Sequence, residues 1–131
     1  KKLGLYKNLS LILCCCSMRV IGRKILMKVK KKNLGNQKLW REIDKLLLIL
    51  EGFNPEDSSL KAIRKDADQV HPDGFYFFNI SVHRTMILIE LEDEGEATIV
   101  WAGSHQEYEI VFKNNKKVIE KWLINKGYIT S

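Results

Sequence analysis

Apolar and polar residues alternate most clearly between residues 75 and 109, and this alternation predicts three consecutive β-strands. Residues 75–81 are rich in aromatic side chains, which suit the half-buried surface of a strand. In residues 85–92, isoleucine and leucine occupy every second position and glutamates lie opposite. Residues 93–96 supply a hairpin loop, because Gly95 can adopt a positive φ, and the third strand follows. The predicted meander ends in a polar tail at residues 104–109.

Helical periodicity before this meander predicts two antiparallel helices joined by a short turn. A short strand at residues 19–22 leads into a very basic helix at about residues 23–32. Residues 37–51 form the clearest helix, because leucines and isoleucines recur at helical spacing and Gly52 follows as a stop. The first of these helices is expected to expose lysines, and the second to bury leucines.

Two further helical segments complete the predicted elements. Asn54 and Pro55 suit the cap and the first position of a short helical turn, and a loop at residues 66–74 leads into the meander. A last helix covers about residues 116–126, with Gly127 as its end. The predicted fold class is α+β, with N-terminal basic helices packed on an antiparallel β-meander and an added C-terminal helix.

The charge of the chain is divided unevenly along its length. A chain of 131 residues with a net charge of +6 is expected to form one domain. Residues 1–65 hold 16 Lys/Arg and 5 Asp/Glu, whereas residues 66–131 hold 6 Lys/Arg and 11 Asp/Glu. A basic half favours a polyanionic partner for one surface. The alternative is that solvated lysines only keep the domain soluble.

The first seventeen residues differ in character from the rest of the chain. The apolar run at residues 9–16 is far too short to span a membrane, and no small-residue cleavage pattern follows it. Met18 is a candidate start, so we interpret residues 1–17 as a non-native or disordered extension and residues 18–131 as a single domain. The three cysteines are contiguous and match neither a zinc site nor a disulfide framework, which favours the cytoplasm. Lipid attachment to them is the alternative.

Few side chains in this sequence point to chemistry, and each also has a structural explanation. No phosphate-binding glycine loop, metal-spaced cluster or serine nucleophile elbow is present. His71 lies in a predicted turn, His83 and Arg84 could form the solvated end of a strand, and Tyr108 could be a packing residue. His105 is the best candidate, because it follows the end of a predicted strand and lies near a serine, a glutamate and a tyrosine in the sequence.

Five segments carry a resemblance to a known family. They are MRVIGRK at 18–24, NPEDSSLKAI at 54–63, DADQV at 66–70, FYFFNI at 75–80 and WAGSHQEYE at 101–109. On these segments the chain resembles the HigB family of toxins from bacterial type II toxin–antitoxin systems, which have the RelE-like fold. The last segment is the most informative, because the family's final strand usually ends in His-x-Glu-Tyr-Asp and this chain has His105-Gln106-Glu107-Tyr108-Glu109.

The resemblance implies an mRNA interferase, which is a metal-independent endoribonuclease without a cofactor that cuts mRNA in the ribosomal A site. The RNA 2′-hydroxyl would attack the adjacent phosphate, which requires a base, an acid and cations for the developing charge. The implied catalytic residues are His105 for proton transfer, Tyr108 for positioning or proton transfer, and Arg84 for the phosphate. The implied contacts with RNA and the ribosome are Lys28, Lys30, Lys31, Lys32, Lys61, Lys65 and His83.

One difference from the family concerns the cation on the second strand of the meander. The family commonly has Gly-Asn-x-x-Arg after the aromatic strand, whereas this chain has Met86 at the arginine position. Arg84, two residues earlier, has the same strand parity and could face the same side of the sheet. His83 is the other cation available, and the sequence leaves the choice between the two open.

Three functions remain as alternatives at this point. The first is the ribosome-dependent RNase, with the basic helices as its docking surface. The second is a ParE-like inhibitor that binds a protein target and has no catalytic centre, which the displaced arginine favours. The third is an inactive RNA-binding or co-repressor partner of an antitoxin. The resemblance also implies a HigA-type helix-turn-helix antitoxin, operator DNA bound only through that antitoxin, a cytoplasmic location and no membrane partner.

Overall fold

The computed structural model describes residues 18–54, 61, 64–92 and 95–130, and this part of the chain has an α+β fold. Its elements are β1 (Arg19–Ile21), α1 (Arg23–Lys32), α2 (Gln37–Glu51), β2 (Asp68–His71), β3 (Phe75–Ile80), β4 (His83–Glu90), β5 (Glu96–Ser104), α3 (His105–Phe112) and α4 (Lys116–Lys126). The predicted helices at 23–32, 37–51 and 116–126 are confirmed within their stated bounds.

The described strands form one mostly antiparallel sheet in the order β1-β5-β4-β3-β2. Neighbours from β2 to β5 are antiparallel, which confirms the predicted meander and adds a strand to its start. β1 joins the far edge and runs parallel to β5. The chain then leaves the sheet through α1 and α2 and re-enters at the opposite edge, at β2.

Helices cover both faces of this sheet. The side chains of each strand alternate between the two faces, and both faces carry apolar residues that the helices bury. In β3, Phe78 faces α1 and α2, whereas Phe77 faces α3 and α4. Each pair of helices adds its own apolar residues, such as Leu46 from α2 and Phe112 from α3. Burial of each such side chain contributes roughly 1.5–3 kcal/mol, so two separate cores hold the layers together.

A β-bulge interrupts the pairing of the two central strands. Met86 is opposite Trp101 and Ile87 is opposite Ile99, so Val100 is an extra residue in β5. Ile87 and Ile89 lie in the core under α1 and α2, as their alternation predicts. Leu91 was expected on the same face, but it lies beyond the end of β4 and is exposed. This part of the prediction is wrong because the strand ends at Glu90.

The polar segment that follows β5 is the first correction to the predicted elements. We expected residues 104–109 to be a tail at a strand end, but α3 begins there at once. Ser104 accepts a hydrogen bond from the Glu107 backbone N–H, and the Glu107 carboxylate accepts one from the Ser104 N–H. This capping box satisfies two N–H groups at the start of the helix, which explains the sharp change from strand to helix.

The segment before the aromatic strand is the second correction. We expected a loop at 66–74 and placed His71 in it, but Asp68–His71 forms the edge strand β2 and His71 is its last residue. Pairing with β3 satisfies the backbone N–H and C=O groups of β2. The polar sequence of β2 does not itself predict a strand. The hairpin turns at Gly74, whose φ of 102° is available to glycine at no steric cost.

Gly22 fixes the position of α1 over the sheet. Its φ is 87°, and a Cβ at this position would lie 2.6 Å from the carbonyl oxygen of Ile99. Only a residue without a side chain therefore allows the chain to turn from β1 into α1 this close to β5. The close approach places the C-terminal half of α1 beside the end of β5, where a cleft is formed.

Some predictions fall on residues outside the described part of the chain. These are the extension at residues 1–17, most of the helical turn after Asn54, and the loop residues 93–94. Gly95, which closes that loop, has the expected positive φ of 84°. Within the described residues, no helix combines the length and apolar character that crossing a membrane requires.

Candidate functional site

The tight turn between β3 and β4 brings most candidate residues to one end of the sheet. His83 pairs with Ser104 and Arg84 pairs with Gly103, so the start of β4 lies beside the end of β5. The His105 N–H donates to the carbonyl of Val82 at 3.2 Å, which ties the start of α3 to the same turn. The strand register therefore places His83, Arg84 and His105 at one end of the sheet, although more than twenty positions separate His83 from His105 in the chain.

Arg84 is held against an aromatic surface at this end of the sheet. Its guanidinium carbon lies 4.4 Å from the centre of the Tyr108 ring and 5.1 Å from that of Phe77. A cation above an aromatic face gains about 0.5–2 kcal/mol. The Nε–H donates to Oδ1 of Asn79 at 3.2 Å. No hydrogen bond within the described part of the chain uses the terminal N–H groups of the guanidinium, which are the ones suited to a bidentate anion contact.

Asn79 is itself positioned by an ion pair. Arg64 donates two hydrogen bonds to Asp66, each at 2.7 Å, and a third to the Asn79 carbonyl at 2.9 Å. The Asn79 N–H donates in turn to Asp66 at 2.8 Å. Burial raises the pKa of Asp66, but the bonds from Arg64 and Asn79 outweigh it, so the pKa is lowered overall. The ion pair thus fixes the backbone of Asn79, and the side chain of Asn79 orients Arg84.

His105 and Tyr108 form the other half of the site. Their rings stack with centres 5.9 Å apart and planes 23° apart. The His105 side chain is 63% exposed, and its Nε2 lies 3.7 Å from a Glu109 carboxylate oxygen. Tyr108 is only 2% exposed, and its hydroxyl donates to Oδ1 of Asn114 at 2.8 Å. The imidazole of His105 is therefore accessible to a ligand, whereas the hydroxyl of Tyr108 is buried and hydrogen-bonded to Asn114.

Arg84 and His105 line one open pocket of ≈ 380 Å³, which we call the Arg84 pocket. Its other lining residues are Asn79, Ser81, Val82 and His83. The pocket places a fixed cation and an exposed imidazole around one space, with the Tyr108 ring in contact with both side chains. This arrangement can bind an anion such as a phosphate and exchange a proton with it.

His83 lies on the opposite face of the sheet from Arg84, since neighbouring strand residues point in opposite directions. It is 8% exposed, and its Nδ1 is enclosed without a hydrogen-bond partner among the described residues. Burial lowers the pKa of His83 below its ordinary value of 6.5, and the charge of Glu107 opposes the shift only in part. Of the two candidates for the second-strand cation, Arg84 is the one that shares a face with Met86, Tyr108 and the core beneath α3.

The lysines of α1 do not form a single cluster. Lys28 and Lys32 line a cleft of ≈ 260 Å³ between α1 and β5, which we call the α1–β5 cleft. Lys31 is exposed beside them. Lys30 instead pairs with Asp44 at 2.6 Å and lies 5.0 Å from the centre of the Trp40 ring. Three of the four predicted lysines are thus presented to solvent, and the fourth joins α1 to α2.

Lys61 lies just before the turn that contains the Arg64–Asp66 pair, and Lys65 lies within that turn. Lys61 donates to the carbonyl of Ala67 at 2.8 Å, and Lys65 is exposed. Because Asp66 bonds to Asn79, this turn lies at the same end of the sheet as the Arg84 pocket. Neither lysine lines that pocket, so they flank the site rather than form it.

Gly103 is a residue of this site that the sequence did not single out. A Cβ there would lie 2.7 Å from Oε1 of Glu107 and 2.8 Å from the Trp101 ring. The glycine therefore makes room for the carboxylate that caps α3. The signal available in the sequence was the capping pattern Ser104-x-x-Glu107, which predicts a helix start immediately after the glycine.

Within the described residues, no group of three or more His, Cys, Asp or Glu side chains is arranged to hold a metal ion. Comparison of the chain with models of protein families finds no match. Comparisons with curated proteins and with solved structures find no significant match either.

Proposed function

We propose that the chain is a metal-independent endoribonuclease of the RelE-like type, acting as the HigB-like toxin of a type II toxin–antitoxin pair. The support is the resemblance of its five segments to that family, together with the Arg84 pocket. The observation that carries the proposal is that Arg84 and His105 line one pocket, both in contact with the Tyr108 ring.

The proposed chemistry is transfer within the RNA chain itself. The 2′-oxygen forms a bond to the adjacent phosphorus while the bond from phosphorus to the 5′-oxygen breaks. The proton of the 2′-hydroxyl passes to a base, and the 5′-oxygen leaves as a hydroxyl after it receives a proton. The products are a 2′,3′-cyclic phosphate and a 5′-hydroxyl, so the protein must supply proton transfer and positive charge.

The residues of the Arg84 pocket meet these requirements in different ways. The terminal N–H groups of Arg84 bind the phosphate and its developing charge, since Asn79 occupies only the Nε–H. The exposed imidazole of His105 transfers a proton. Tyr108 acts as a positioning residue, because its hydroxyl is bonded to Asn114 and its ring supports both other side chains.

The basic surface around the pocket supports binding to the ribosome. Lys28, Lys31 and Lys32 project from α1, Lys61 precedes the 64–66 turn and Lys65 lies within it. Such lysines bind RNA phosphates without reading the sequence, and this binding weakens as salt concentration rises. We assign Lys30 mainly to the contact between α1 and α2, because it is already paired with Asp44.

The proposed partners follow from the resemblance. They are mRNA in the ribosomal A site, ribosomal RNA, and a HigA-type helix-turn-helix antitoxin that would bring the pair to operator DNA. The proposed location is the cytoplasm, where translating ribosomes are found. Co-expression with the antitoxin should abolish growth arrest.

Induction of the chain in bacteria, followed by primer extension on a reporter mRNA, tests this function. We expect growth arrest, cuts confined to translated regions, and loss of both in the His105→Ala variant. His71→Ala is the matched control, because it makes the same chemical change at the other end of β3. Growth arrest without cuts would instead favour the ParE-like inhibitor. Neither arrest nor cuts would favour an inactive RNA-binding or co-repressor partner.

A further inference from the structure

The last helix, α4, and the turn before it reverse the charge of the C-terminal half of the chain. Residues 66–112 hold ten Asp/Glu and one Lys/Arg, whereas residues 113–131 hold five Lys and one Glu. All five lysines of this segment are exposed, and the cleavage chemistry above uses none of them: Lys113, Lys116, Lys117, Lys121 and Lys126. A second basic surface therefore lies on the face of the sheet opposite to α1.

The charge of these lysines is not neutralised within the described part of the chain, where no ion pair includes any of them. Glu120, the one acidic side chain of the segment, instead has a carboxylate oxygen 3.8 Å from Nε2 of His71. Lys117 and Lys121 are four positions apart in α4 and lie on the side opposite to its buried residues. Two neighbouring cations are therefore available to a partner from outside the chain.

An aromatic pair adds a second feature to the end of this helix. The rings of Trp122 and Tyr128 stack with centres 6.2 Å apart and planes 18° apart, and Lys126 Nζ lies 5.6 Å from the centre of the Trp122 ring. The Tyr128 ring also meets the buried ring of Phe75 edge to face at 6.2 Å, yet 41% of Tyr128 is exposed. A supported aromatic ring is thus presented to solvent beside a cation.

These two features together restrict the chemistry of the partner. Exposed lysines bind phosphates, and an exposed aromatic ring can stack on an unpaired base, so the combination suits a single-stranded nucleic acid. A duplex fits less well, because its bases are already stacked on one another. A lipid surface fits poorly, because the apolar residues of α4, Ile119 and Leu123, are buried in the core and leave no apolar face to enter a membrane.

We propose that α4 and Tyr128 bind single-stranded RNA, with phosphates at Lys117 and Lys121 and one base stacked on the Tyr128 ring. The choice of RNA over DNA rests on the proposed function, whereas binding itself needs no cleavage. The turn before α4 is tied to the Tyr108 hydroxyl, and Tyr128 contacts Phe75 at the far end of β3 from the Arg84 pocket. The surface of α4, about 16 Å long, thus leads away from that pocket along the sheet.

Fluorescence anisotropy of a labelled 2′-O-methyl oligouridylate of roughly ten nucleotides tests this surface with the full chain, since that strand has no 2′-hydroxyl through which it could be cut. Replacing both Lys117 and Lys121 by Ala should weaken binding and lower the slope of log Kd against log salt concentration by about 1.4, because each phosphate contact contributes about 0.7. The matched control replaces Lys38 and Lys45 by Ala, which removes the same charge from exposed positions of α2. Equal effects of the two double variants would overturn the proposal.

The stacking contact has its own test. Tyr128→Leu should weaken binding about fivefold or more without changing the salt slope, because it removes a ring and no charge. Tyr128→Phe keeps the ring and should bind within about twofold of the unmodified chain. An abasic oligonucleotide of the same length makes the same comparison on the unmodified chain and should bind at least about fivefold more weakly. Equal binding of the abasic strand, or an equal loss in Tyr128→Phe and Tyr128→Leu, would overturn the stacking.

Two further outcomes separate this surface from other partners and from the enzyme activity. Vesicles rich in phosphatidylserine should not displace the oligonucleotide, and displacement would overturn the proposal in favour of a membrane surface. Binding that depends on Lys117, Lys121 and Tyr128, without any mRNA cleavage by the chain, would leave the surface in place and remove the proposed function. Cleavage by a chain whose oligonucleotide binding does not depend on these residues would do the reverse.

Discussion

The guanidinium of Arg84 lies 4.4 Å from the centre of the Tyr108 ring, although 24 positions separate the two residues in the chain. The contact exists because β4 and β5 are paired in register and α3 begins at the last residue of β5. It gives the arginine a fixed direction at the end of the sheet, beside an exposed imidazole that also contacts Tyr108. A cation and an exposed imidazole thus share one aromatic support.

The first prediction separates the two roles of Tyr108. Tyr108→Phe removes the hydroxyl bonded to Asn114 but keeps the ring, so cleavage should stay within about threefold of the unmodified chain. The free energy of unfolding should fall by about 1 kcal/mol, which is typical of one hydrogen bond. Tyr108→Leu removes the ring and should reduce cleavage further than Tyr108→Phe does.

Steady-state cleavage of a defined mRNA on ribosomes provides the measurement, with urea unfolding of each variant as the control for folding. A loss of about 100-fold or more in Tyr108→Phe alone would show that the hydroxyl itself transfers a proton.

The second prediction concerns the room that Gly103 leaves for Glu107. Gly103→Ala places a methyl group against Glu107 Oε1 and the Trp101 ring, so the capping box must shift. We expect a loss of roughly 1–3 kcal/mol in the free energy of unfolding, measured by urea denaturation. Gly52→Ala is the matched control, because its new methyl would meet only the Leu48 carbonyl oxygen at 3.4 Å. Equal losses in the two variants would contradict this account of Gly103.

The third prediction concerns the two-residue turn between β3 and β4. Ser81 has a φ of 62°, a left-handed conformation that costs a residue with a side chain about 1 kcal/mol. Ser81→Gly should therefore raise the urea midpoint, with a gain of up to about 1 kcal/mol after the added flexibility of the unfolded chain is subtracted. Ser81→Ala keeps the strain and should give no gain. A lower midpoint in Ser81→Gly would contradict the strain.

The fourth prediction concerns the pH dependence of stability. Burial lowers the pKa of His83 from 6.5, so below about pH 6.5 the unfolded chain binds more protons than the folded chain does. The contribution of His83 to the free energy of unfolding is thus complete above this pH and is lost as the pH falls below it. Asp66, whose pKa is lowered from 3.8, adds a second loss that begins only below about pH 3.8.

Urea unfolding between about pH 8 and about pH 5 isolates the histidine part of this dependence. His83→Gln should show a smaller decrease in the free energy of unfolding across that interval than the unmodified chain. His71→Gln serves as the control, since its side chain lies at the other end of β3. Parallel pH profiles for His83→Gln and the unmodified chain would rule out the buried neutral histidine.

Periodicity predicted most of the fold, because long elements carry strong signals. The helix at Gln37–Glu51 repeats its leucines over several turns, and the aromatic strand at Phe75–Ile80 is bounded by turns. The missed elements are short. β2 has four residues and a polar start, and α3 begins directly at a strand end. The Ser104-x-x-Glu107 capping pattern was the one sequence signal that could have predicted α3.

The candidate site shows a different limit. The residues that could do chemistry, Arg84 and His105, were visible as residue types. The side chain that orients Arg84, Asn79, was not, because its role depends on the register between β3 and β4 and on the Arg64–Asp66 pair. The choice between His83 and Arg84 also needed the structure, because the sequence does not show which face of the sheet α3 and Tyr108 cover.

We propose that the Arg84 pocket promotes attack of the RNA's own 2′-hydroxyl on the adjacent phosphate. The chemical nature of the product ends tests this proposal most directly. Purified protein is incubated with ribosomes that carry a defined mRNA, and the new ends are analysed beside those from His105→Ala and Arg84→Lys. We predict 2′,3′-cyclic phosphate and 5′-hydroxyl ends, a loss of about 10²–10⁴-fold with His105→Ala, and a smaller loss with Arg84→Lys, which keeps charge but not the planar fork. Ends with a 5′-phosphate, or unchanged cleavage by His105→Ala, would contradict the claim.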